Sequence, residues 1–221
     1  MKTLLPLYAP PADDPLAWNL AAEYGRGLTV LVDAGTGDCV AGVDAGPGDG
    51  DRGLAAGLAA LMRSGVRVLG RIDLRVGTRP VAAVRAEVAR WAGYAVRGVF
   101  LDAAPTSPFS VGPVAVALRA ARHLGLTDAL LNPGMVPDDL YRHFRARICV
   151  FEGTWARLRD WSGKGARPGD GYLVYGVPPE ELDAVRSLLA ERQAGPVLLT
   201  DREMPDPYAE LPSWCLPLAV R

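Results

Sequence analysis

Eight short apolar segments of the chain each end at a polar or aromatic residue that could take part in chemistry. The last polar or aromatic residues of the segments are Tyr8, Asp33, Asp73, Asp102, Asn132, Glu152, Tyr175 and Asp201. A carboxylate beside an apolar segment is costly to bury unless a partner pairs with it or a reaction uses it. A single Asp at such a position can be a helix N-cap, but five acids in equivalent positions indicate a shared site.

Asp102 and Glu152 are the pair whose types suggest a definite reaction. Two carboxyl groups held roughly 5–10 Å apart cleave glycosidic bonds: one protonates the leaving oxygen, and the other attacks the sugar or activates water. We predict Glu152 as the general acid/base and Asp102 as the nucleophile or the stabiliser of the oxocarbenium-like state. Glu152 follows Val150 and Phe151, so we expect it to be the less solvated acid, which raises a carboxyl pKa. The structural alternative for both acids is helix capping or pairing with arginine.

The remaining segment ends, together with one nearby tryptophan, are predicted to bind the substrate. Sugar rings have apolar C–H faces, and these faces pack on the planes of aromatic side chains. The predicted substrate-binding residues are Tyr8, Asp33, Asp73, Asn132, Trp155, Tyr175 and Asp201. For Trp155, which lies shortly after Glu152, packing in the core is the competing interpretation.

The eight segments are predicted to be strands, because near-continuous apolar runs are typical of strands buried on both faces. They span Leu4–Tyr8, Leu28–Asp33, Val66–Asp73, Arg97–Asp102, Asp128–Asn132, Ile148–Glu152, Tyr172–Gly176 and Pro196–Asp201. Helical patterns separate them, at 54–62, 81–91 and 182–189 and, more weakly, at 16–24, 111–124 and 137–144. This alternation predicts a single domain, a small (β/α)₈ TIM barrel over residues 1–221, with its active site at the C-terminal strand ends. The alternative is an open doubly wound sheet.

Composition argues against several classes of protein. The net charge is −1 and no apolar stretch is long enough to cross a membrane, so neither a nucleic-acid nor a membrane partner is expected. The chain has three widely separated cysteines, Cys39, Cys149 and Cys215. This number and spacing match neither a disulfide framework nor a zinc site. His123 and His143 lie in helical patterns, and the Gly-rich segment 46–50 lacks the ending of a P-loop, so we expect no metal and no cofactor.

The N-terminal residues are expected to belong to the fold. Residues 1–3 lead directly into the apolar run that ends at Tyr8, without the longer apolar core and the small-residue cleavage site of a secretory signal. We therefore expect a cytoplasmic protein. The sequence carries no indication of the oligomeric state.

Several short strings run in order along the whole chain and are specific as a set. They are Leu5-Pro6-Leu7-Tyr8, Gly46-Pro47-Gly48, Leu69-Gly70-Arg71-Ile72-Asp73, Gly77-Thr78-Arg79, Gly98-Val99-Phe100-Leu101-Asp102, Leu131-Asn132-Pro133-Gly134, Val150-Phe151-Glu152, Thr200-Asp201, Pro207-Tyr208 and Leu211-Pro212-Ser213. This ordered set resembles the spherulation-specific family 4 (spherulin-4-like) proteins. The resemblance implies a (β/α)₈ barrel related to glycoside hydrolases, whose characterised relatives cleave α-1,4-linked polysaccharide containing N-acetylgalactosamine, such as galactosaminogalactan. It also implies that the acids ending the fourth and sixth strands, Asp102 and Glu152, are functional.

Three positions depart from the pattern of that family. Ala103 stands where relatives often have Glu, Asp33-Ala34 where they have Asn-Pro, and Gly70-Arg71 where they have Gly-Tyr. Three functions stay open: a glycoside hydrolase acting on an amino-sugar polysaccharide or oligosaccharide, a catalytically inactive relative that binds a glycan or another partner in the same cleft, and a barrel enzyme of another class, such as a lyase or a sugar-nucleotide enzyme. Ala103 favours the second, and the lack of a Gly-rich phosphate-binding loop after the last two strands counts against the third.

Overall fold

A computed structural model describes residues 2–33, 49–94 and 96–215 of the chain. Its centre is a closed barrel of eight parallel strands that are hydrogen-bonded in sequence order. The strands are β1 (Lys2–Leu7), β2 (Leu28–Val32), β3 (Arg67–Asp73), β4 (Gly98–Asp102), β5 (Asp128–Leu131), β6 (Arg147–Thr154), β7 (Gly171–Tyr175) and β8 (Pro196–Leu199). The predicted (β/α)₈ barrel is confirmed, because a closed sheet excludes the open doubly wound alternative.

Helices connect most of the strands on the outside of the barrel. The α-helices are α1 (Pro15–Tyr24), α2 (Asp49–Arg63), α3 (Val81–Gly93), α4 (Val111–His123), α5 (Trp155–Asp160) and α6 (Leu182–Glu191). The Gly-rich segment 46–50 lies outside the described residues except for its last two, which begin α2. Within residues 2–33, 49–94 and 96–215, no helix is both long and apolar enough to cross a membrane.

The connection between β5 and β6 differs from the helix predicted at 137–144. Here the chain forms a short 3-10 helix, Asp139–His143, rather than an α-helix. Pro133 and Pro137 lack the backbone N–H that an α-helix needs, and Gly134 has a φ of +68°, in the left-handed region. These residues limit the connection to a tight turn and a short helix.

Strand β1 closes the barrel, as predicted for a strand that starts within the first ten residues. It pairs with β2 from Thr3↔Leu28 to Leu7↔Val32, and with β8 through Lys2↔Pro196 and Thr3↔Val197. The strand therefore joins the first and last parts of the described chain.

Alternating side chains divide the strand residues between two apolar layers. Side chains facing the barrel axis form the interior cluster, with one member per strand: Leu4, Leu31, Leu69, Phe100, Leu130, Cys149, Leu173 and Leu198. Side chains on the other face pack against the helices in a larger outer cluster. Because successive residues of a strand face opposite sides, the residue two positions after an interior member again faces the axis, nearer the C-terminal end.

A β-bulge in β6 changes this alternation at one strand. The register between β6 and β7 shifts between Cys149 and Phe151, so that Glu152 pairs with Leu173 of the interior cluster. In an uninterrupted strand that continues from Cys149, the side chain of Phe151 would face the barrel axis and that of Glu152 would face the helices. Phe151 belongs instead to the outer cluster. The bulge therefore turns Glu152 towards the barrel axis.

Candidate active site

Five polar residues from consecutive strands meet at the C-terminal end of the barrel. Asp33, Arg71, Asp102 and Asn132 each lie two positions after an interior-cluster residue of β2 to β5. Glu152 of β6 joins them because of the β-bulge. Hydrogen bonds connect all five into one network.

Asn132 bridges the two predicted catalytic acids. Its Nδ2 donates to Oδ1 of Asp102 at 2.9 Å and to Oε2 of Glu152 at 2.7 Å. These two oxygens are therefore no farther apart than the sum of the two distances. This limit is shorter than the ~6.5–9.5 Å between the carboxyl groups of inverting glycosidases and is compatible with the ~5–5.5 Å of retaining ones. Asn132 is 2% exposed, and its Oδ1 accepts the Gly134 N–H at 3.2 Å. That contact fixes which end of the amide faces the acids.

Three N–H donors surround the carboxylate of Asp102. Arg71 Nε donates to Oδ2 at 2.8 Å, while Asn132 Nδ2 and the Ala103 backbone N–H donate to Oδ1 at 2.9 and 3.0 Å. Arg71 Nη1 also donates to Asp33 at 2.6 Å, so one guanidinium serves two carboxylates. Although burial acts in the opposite direction, the charge of Asp102 raises the pKa of Arg71. Arg71 is therefore a permanent cation, and its position suits an anionic Asp102.

Glu152 accepts hydrogen bonds at both carboxylate oxygens. The Tyr208 hydroxyl donates to Oε1 at 2.9 Å, and Asn132 donates to Oε2. Burial raises the pKa of Glu152, and the charge of Asp102 adds to this increase. The hydrogen bonds from Asn132 and Tyr208, and the charge of Arg71, act in the opposite direction. A raised pKa is what a carboxylic acid needs in order to hold a proton near neutral pH.

Two tyrosines pack beside the network. Tyr8 and Tyr208 both contact the interior cluster, and the guanidinium carbon of Arg71 lies 5.2 Å from the centroid of the Tyr8 ring. That distance is within the range of cation–π attraction. Burial raises the pKa of both phenols, with a further increase from the charge of Asp102 at Tyr8 and of Glu152 at Tyr208. Both hydroxyl groups therefore stay protonated.

The outer face of β3 holds Arg71 in place. Gly70 lies against Trp91 of α3, so closely that a Cβ atom on Gly70 would come within 2.1 Å of the indole ring. The indole Nε1 of Trp91 donates to the Arg71 carbonyl oxygen at 3.0 Å. The missing side chain of Gly70 thus allows the helix to fix the backbone of the residue that enters the site.

Two of the acids predicted to bind substrate, Asp73 and Asp201, accept hydrogen bonds from loop backbone, and their contact with substrate stays a prediction. Asp73 Oδ1 accepts the Arg75 N–H at 2.7 Å, and Asp201 Oδ1 accepts the Ser213 N–H at 2.9 Å. Although partial burial acts in the opposite direction, the hydrogen bonds from Ser213 lower the pKa of Asp201. Neither acid has a hydrogen bond to the Asp102–Asn132–Glu152 network among the described residues.

The two predicted aromatic positions after Tyr8 take different places. Trp155 is buried in the outer cluster, and its indole N–H donates to Glu181. The structure thus places Trp155 between strand and helix, which is the core position that the sequence analysis gave as the competing interpretation. Tyr175 ends β7, is half-buried, and lies two positions after the interior-cluster residue Leu173. It faces the barrel axis, and substrate contact by Tyr175 stays a prediction.

Sequence reasoning missed Arg71 and Tyr208 as site residues. Arg71 lies inside the third predicted strand rather than at its end. The only signal for it was the alternation of side chains along the strand, which puts Arg71 on the same face as Leu69. Tyr208 follows the last strand. The one sequence feature that could have identified it as a site residue was the Pro207-Tyr208 string, which resembles the family. Its contact with Glu152 joins residues that are far apart in the sequence.

A cavity of about 460 Å³ adjoins Glu152 on the side of the β5–β6 connection and α5. Trp161, Arg157 and Lys164 contribute an aromatic ring and two cationic groups to its wall. In the described part of the chain, no group of three or more His, Cys, Asp or Glu residues is placed to hold a metal ion. The site itself brings together two carboxyl groups and their hydrogen-bond partners.

The sequence and the structure both match known proteins. A sequence model of spherulation-specific family 4 matches residues 2–216. This chain belongs to spherulation-specific family 4. Spherulin-4 of Physarum polycephalum is 25% identical over 169 residues, which cover 72% of this chain and 47% of that protein. The chain thus spans about half the length of this curated relative of the family.

A solved structure in the family's fold aligns over nearly the whole chain. The crystal structure of Aspergillus clavatus Sph3 in complex with GalNAc superposes with a TM-score of 0.71 at 25% identity. The alignment covers 97% of this chain and 94% of that one. The family assignment expected from the ordered strings is therefore confirmed.

Proposed function

We propose that this family 4 protein is a glycoside hydrolase that cleaves an amino-sugar-containing polysaccharide or oligosaccharide, with Asp102 and Glu152 as its paired acids. One observation carries the proposal: a single nitrogen of Asn132 hydrogen-bonds to both carboxylates and holds them at a short separation. Hydrolysis of a glycosidic bond with retention of configuration needs two carboxyl groups at about this spacing.

The environments of the two acids support different roles. Glu152 has a raised pKa, chiefly because it is buried, and so is suited to protonate the leaving glycosidic oxygen. Asp102 is surrounded by N–H donors and paired with Arg71, and so is suited to attack the anomeric carbon or stabilise its positive charge. In the second half of the reaction, Glu152 takes a proton from the attacking water, and the bond to Asp102 breaks with release of the sugar.

A solved relative in complex with a sugar supports the proposed class of substrate. Sph3 was crystallised with GalNAc, at 25% identity to this chain. The half-buried rings of Tyr8 and Tyr208 lie beside the paired acids, and aromatic rings of this kind can pack on sugar C–H faces. An N-acetylgalactosamine-containing glycan is therefore the first substrate to test.

The experiment is a reducing-end assay on α-1,4-linked N-acetylgalactosamine oligosaccharides. Replacing Asp102→Asn or Glu152→Gln should lower kcat/KM by roughly three orders of magnitude or more, while each variant keeps a cooperative thermal transition. Matched controls are Asp139→Asn and Glu180→Gln, which make the same chemical changes at exposed positions. Equal activity of the two site variants and the wild type would contradict the paired-acid mechanism.

A second candidate function is glycan binding without catalysis, favoured by the surroundings of Asp102. Arg71 Nε, Asn132 Nδ2 and the Ala103 N–H already occupy the Asp102 oxygens, and Ala103 stands where relatives often have Glu. Isothermal titration calorimetry with the same oligosaccharides distinguishes the two functions. Saturable binding that Asn132→Ala abolishes, without release of reducing ends by the wild type, would favour the binding protein.

A further inference from the structure

The barrel has a second cavity at its N-terminal end, opposite the paired acids. It has a volume of about 370 Å³, which is within the range of pockets that hold small ligands. Its wall includes four arginines, Arg67, Arg142, Arg145 and Arg147, and one acid, Asp128. Arg67, Asp128 and Arg147 are the first residues of β3, β5 and β6, which places the cavity at the strand starts.

The cavity lies where two neighbouring strands pair only briefly. Strands β5 and β6 pair through Leu130↔Arg147 and Leu131↔Ile148 alone. Asp128 and Ala129 therefore precede the first pair and have no partner on β6. Leu130, a buried residue of the interior cluster, lines the cavity at this gap. The opening is thus a consequence of the barrel's register and borders its interior.

Four guanidinium groups and one carboxylate line this cavity. Arg67 Nη1 lies 3.3 Å from Asp128 Oδ2, an ion pair without hydrogen-bond geometry. Arg142 is held by Asp170, which accepts from both of its terminal nitrogens. Its Nε, however, is buried and has no hydrogen-bond partner among the described residues. A buried donor without a partner is uncommon and needs an explanation.

The other two arginines have no described partner at all. The side chains of Arg145 and Arg147 are exposed, and neither forms a hydrogen bond or an ion pair within residues 2–33, 49–94 and 96–215. This concentration of positive charge is local, because the whole chain carries a net charge of −1. Like charges that converge on one cavity repel one another unless an anion lies between them.

We propose that this cavity binds a small phosphate-bearing anion. Guanidinium groups match phosphoryl oxygens with pairs of N–H donors and bind them more strongly than single neutral donors do. Arg145 and Arg147 supply the uncommitted donors, Arg142 adds positive charge to the wall, and Leu69 and Leu130 form an apolar floor for the rest of the ligand. The site lies at the opposite end of the barrel from the paired acids and is independent of the proposed hydrolysis.

Inorganic pyrophosphate is the probe for isothermal titration calorimetry, with the wild-type chain at constant ionic strength. We expect one site per chain and an affinity that falls as salt is added. The double variant R145A/R147A should bind pyrophosphate at least tenfold more weakly. The control variant R85A/R119A removes two exposed arginines from α3 and α4 and should bind like the wild type.

Both arginines are exposed, so the double variant should keep the wild-type melting temperature. If it does not fold, the single variant Arg145→Ala, which changes a residue outside every strand and helix, should still weaken binding at least threefold. Absence of pyrophosphate binding by the wild type would overturn the proposal. An equal loss of affinity in R145A/R147A and R85A/R119A would also overturn it, because the binding would then reflect general surface charge.

Discussion

The substitution Tyr208→Phe tests whether the surroundings of Glu152 control its pKa as a general acid requires. The substitution removes only the hydroxyl that donates to Glu152 Oε1 at 2.9 Å and keeps the ring that packs against the interior cluster. That hydrogen bond lowers the pKa of Glu152, against the larger increase caused by burial. Its loss should therefore raise the pKa of Glu152 further.

The size of the change follows from the difference between two hydrogen bonds. A hydrogen bond to an ionised acceptor is worth about 1.5–3 kcal/mol, and one between neutral groups about 0.5–1.5 kcal/mol. Removing the hydroxyl thus costs the ionised form of Glu152 about 1 kcal/mol more than the protonated form. This difference corresponds to an acid dissociation constant about fivefold smaller. The Asn132 hydrogen bond to Oε2 remains, so the carboxyl keeps its position.

The assay is a carboxyl ¹³C NMR titration of wild type and Tyr208→Phe, with the Glu152 resonance assigned by its absence in Glu152→Gln. This measurement needs no substrate and is independent of hydrolysis. In a hydrolysis assay, the alkaline limb of the pH profile of kcat/KM should also move to higher pH, because a general acid must be protonated. Tyr24→Phe, at a 63% exposed tyrosine, is the control and should change neither. A titration midpoint that stays in place or moves to lower pH in Tyr208→Phe would refute this reasoning.

Three further predictions concern stability. Because burial raises the pKa of Glu152 in the native state, the contribution of Glu152 to the free energy of unfolding falls as pH rises above the ordinary pKa of Glu. Glu152→Gln should remove this contribution, which urea unfolding of both proteins at pH 4 and pH 7 measures. An equal change in the free energy of unfolding between the two pH values in both proteins would contradict the prediction. Arg71→Met removes the cation shared by Asp33 and Asp102, whose side chains are 13% and 19% exposed. It should cost about 2–3 kcal/mol at pH 7, below the ~3–5 kcal/mol of fully buried pairs; the double variant with Asp33→Asn should recover part of the loss. Deleting residues 2–8 removes the pairing of β1 with both β2 and β8 and should abolish the cooperative thermal transition. A shortened chain that melts like the wild type would show that β1 is dispensable.

Two features of this protein follow from the sequence alone, because both are local. Strands buried on both faces need continuous apolar runs, so eight such runs separated by helical patterns predicted the barrel. Parallel strands end at the same edge, so the polar residues that follow their apolar parts predicted Asp102, Asn132 and Glu152 together. Apolar periodicity did not predict the 3-10 helix at Asp139–His143, because Pro133 and Gly134 act through the backbone rather than through the pattern.

Tertiary structure decided which of the predicted side chains enter the site. Glu152 faces the barrel axis only because a bulge shifts the register of β6 against β7, and a bulge depends on both strands. Arg71 bridges two carboxylates supplied by neighbouring strands, and Tyr208 reaches Glu152 from a distant segment. Trp155, close to Glu152 in sequence, lies instead between strand and helix. Apolar patterns specify which residues are buried, but register and chain packing determine which buried polar groups meet.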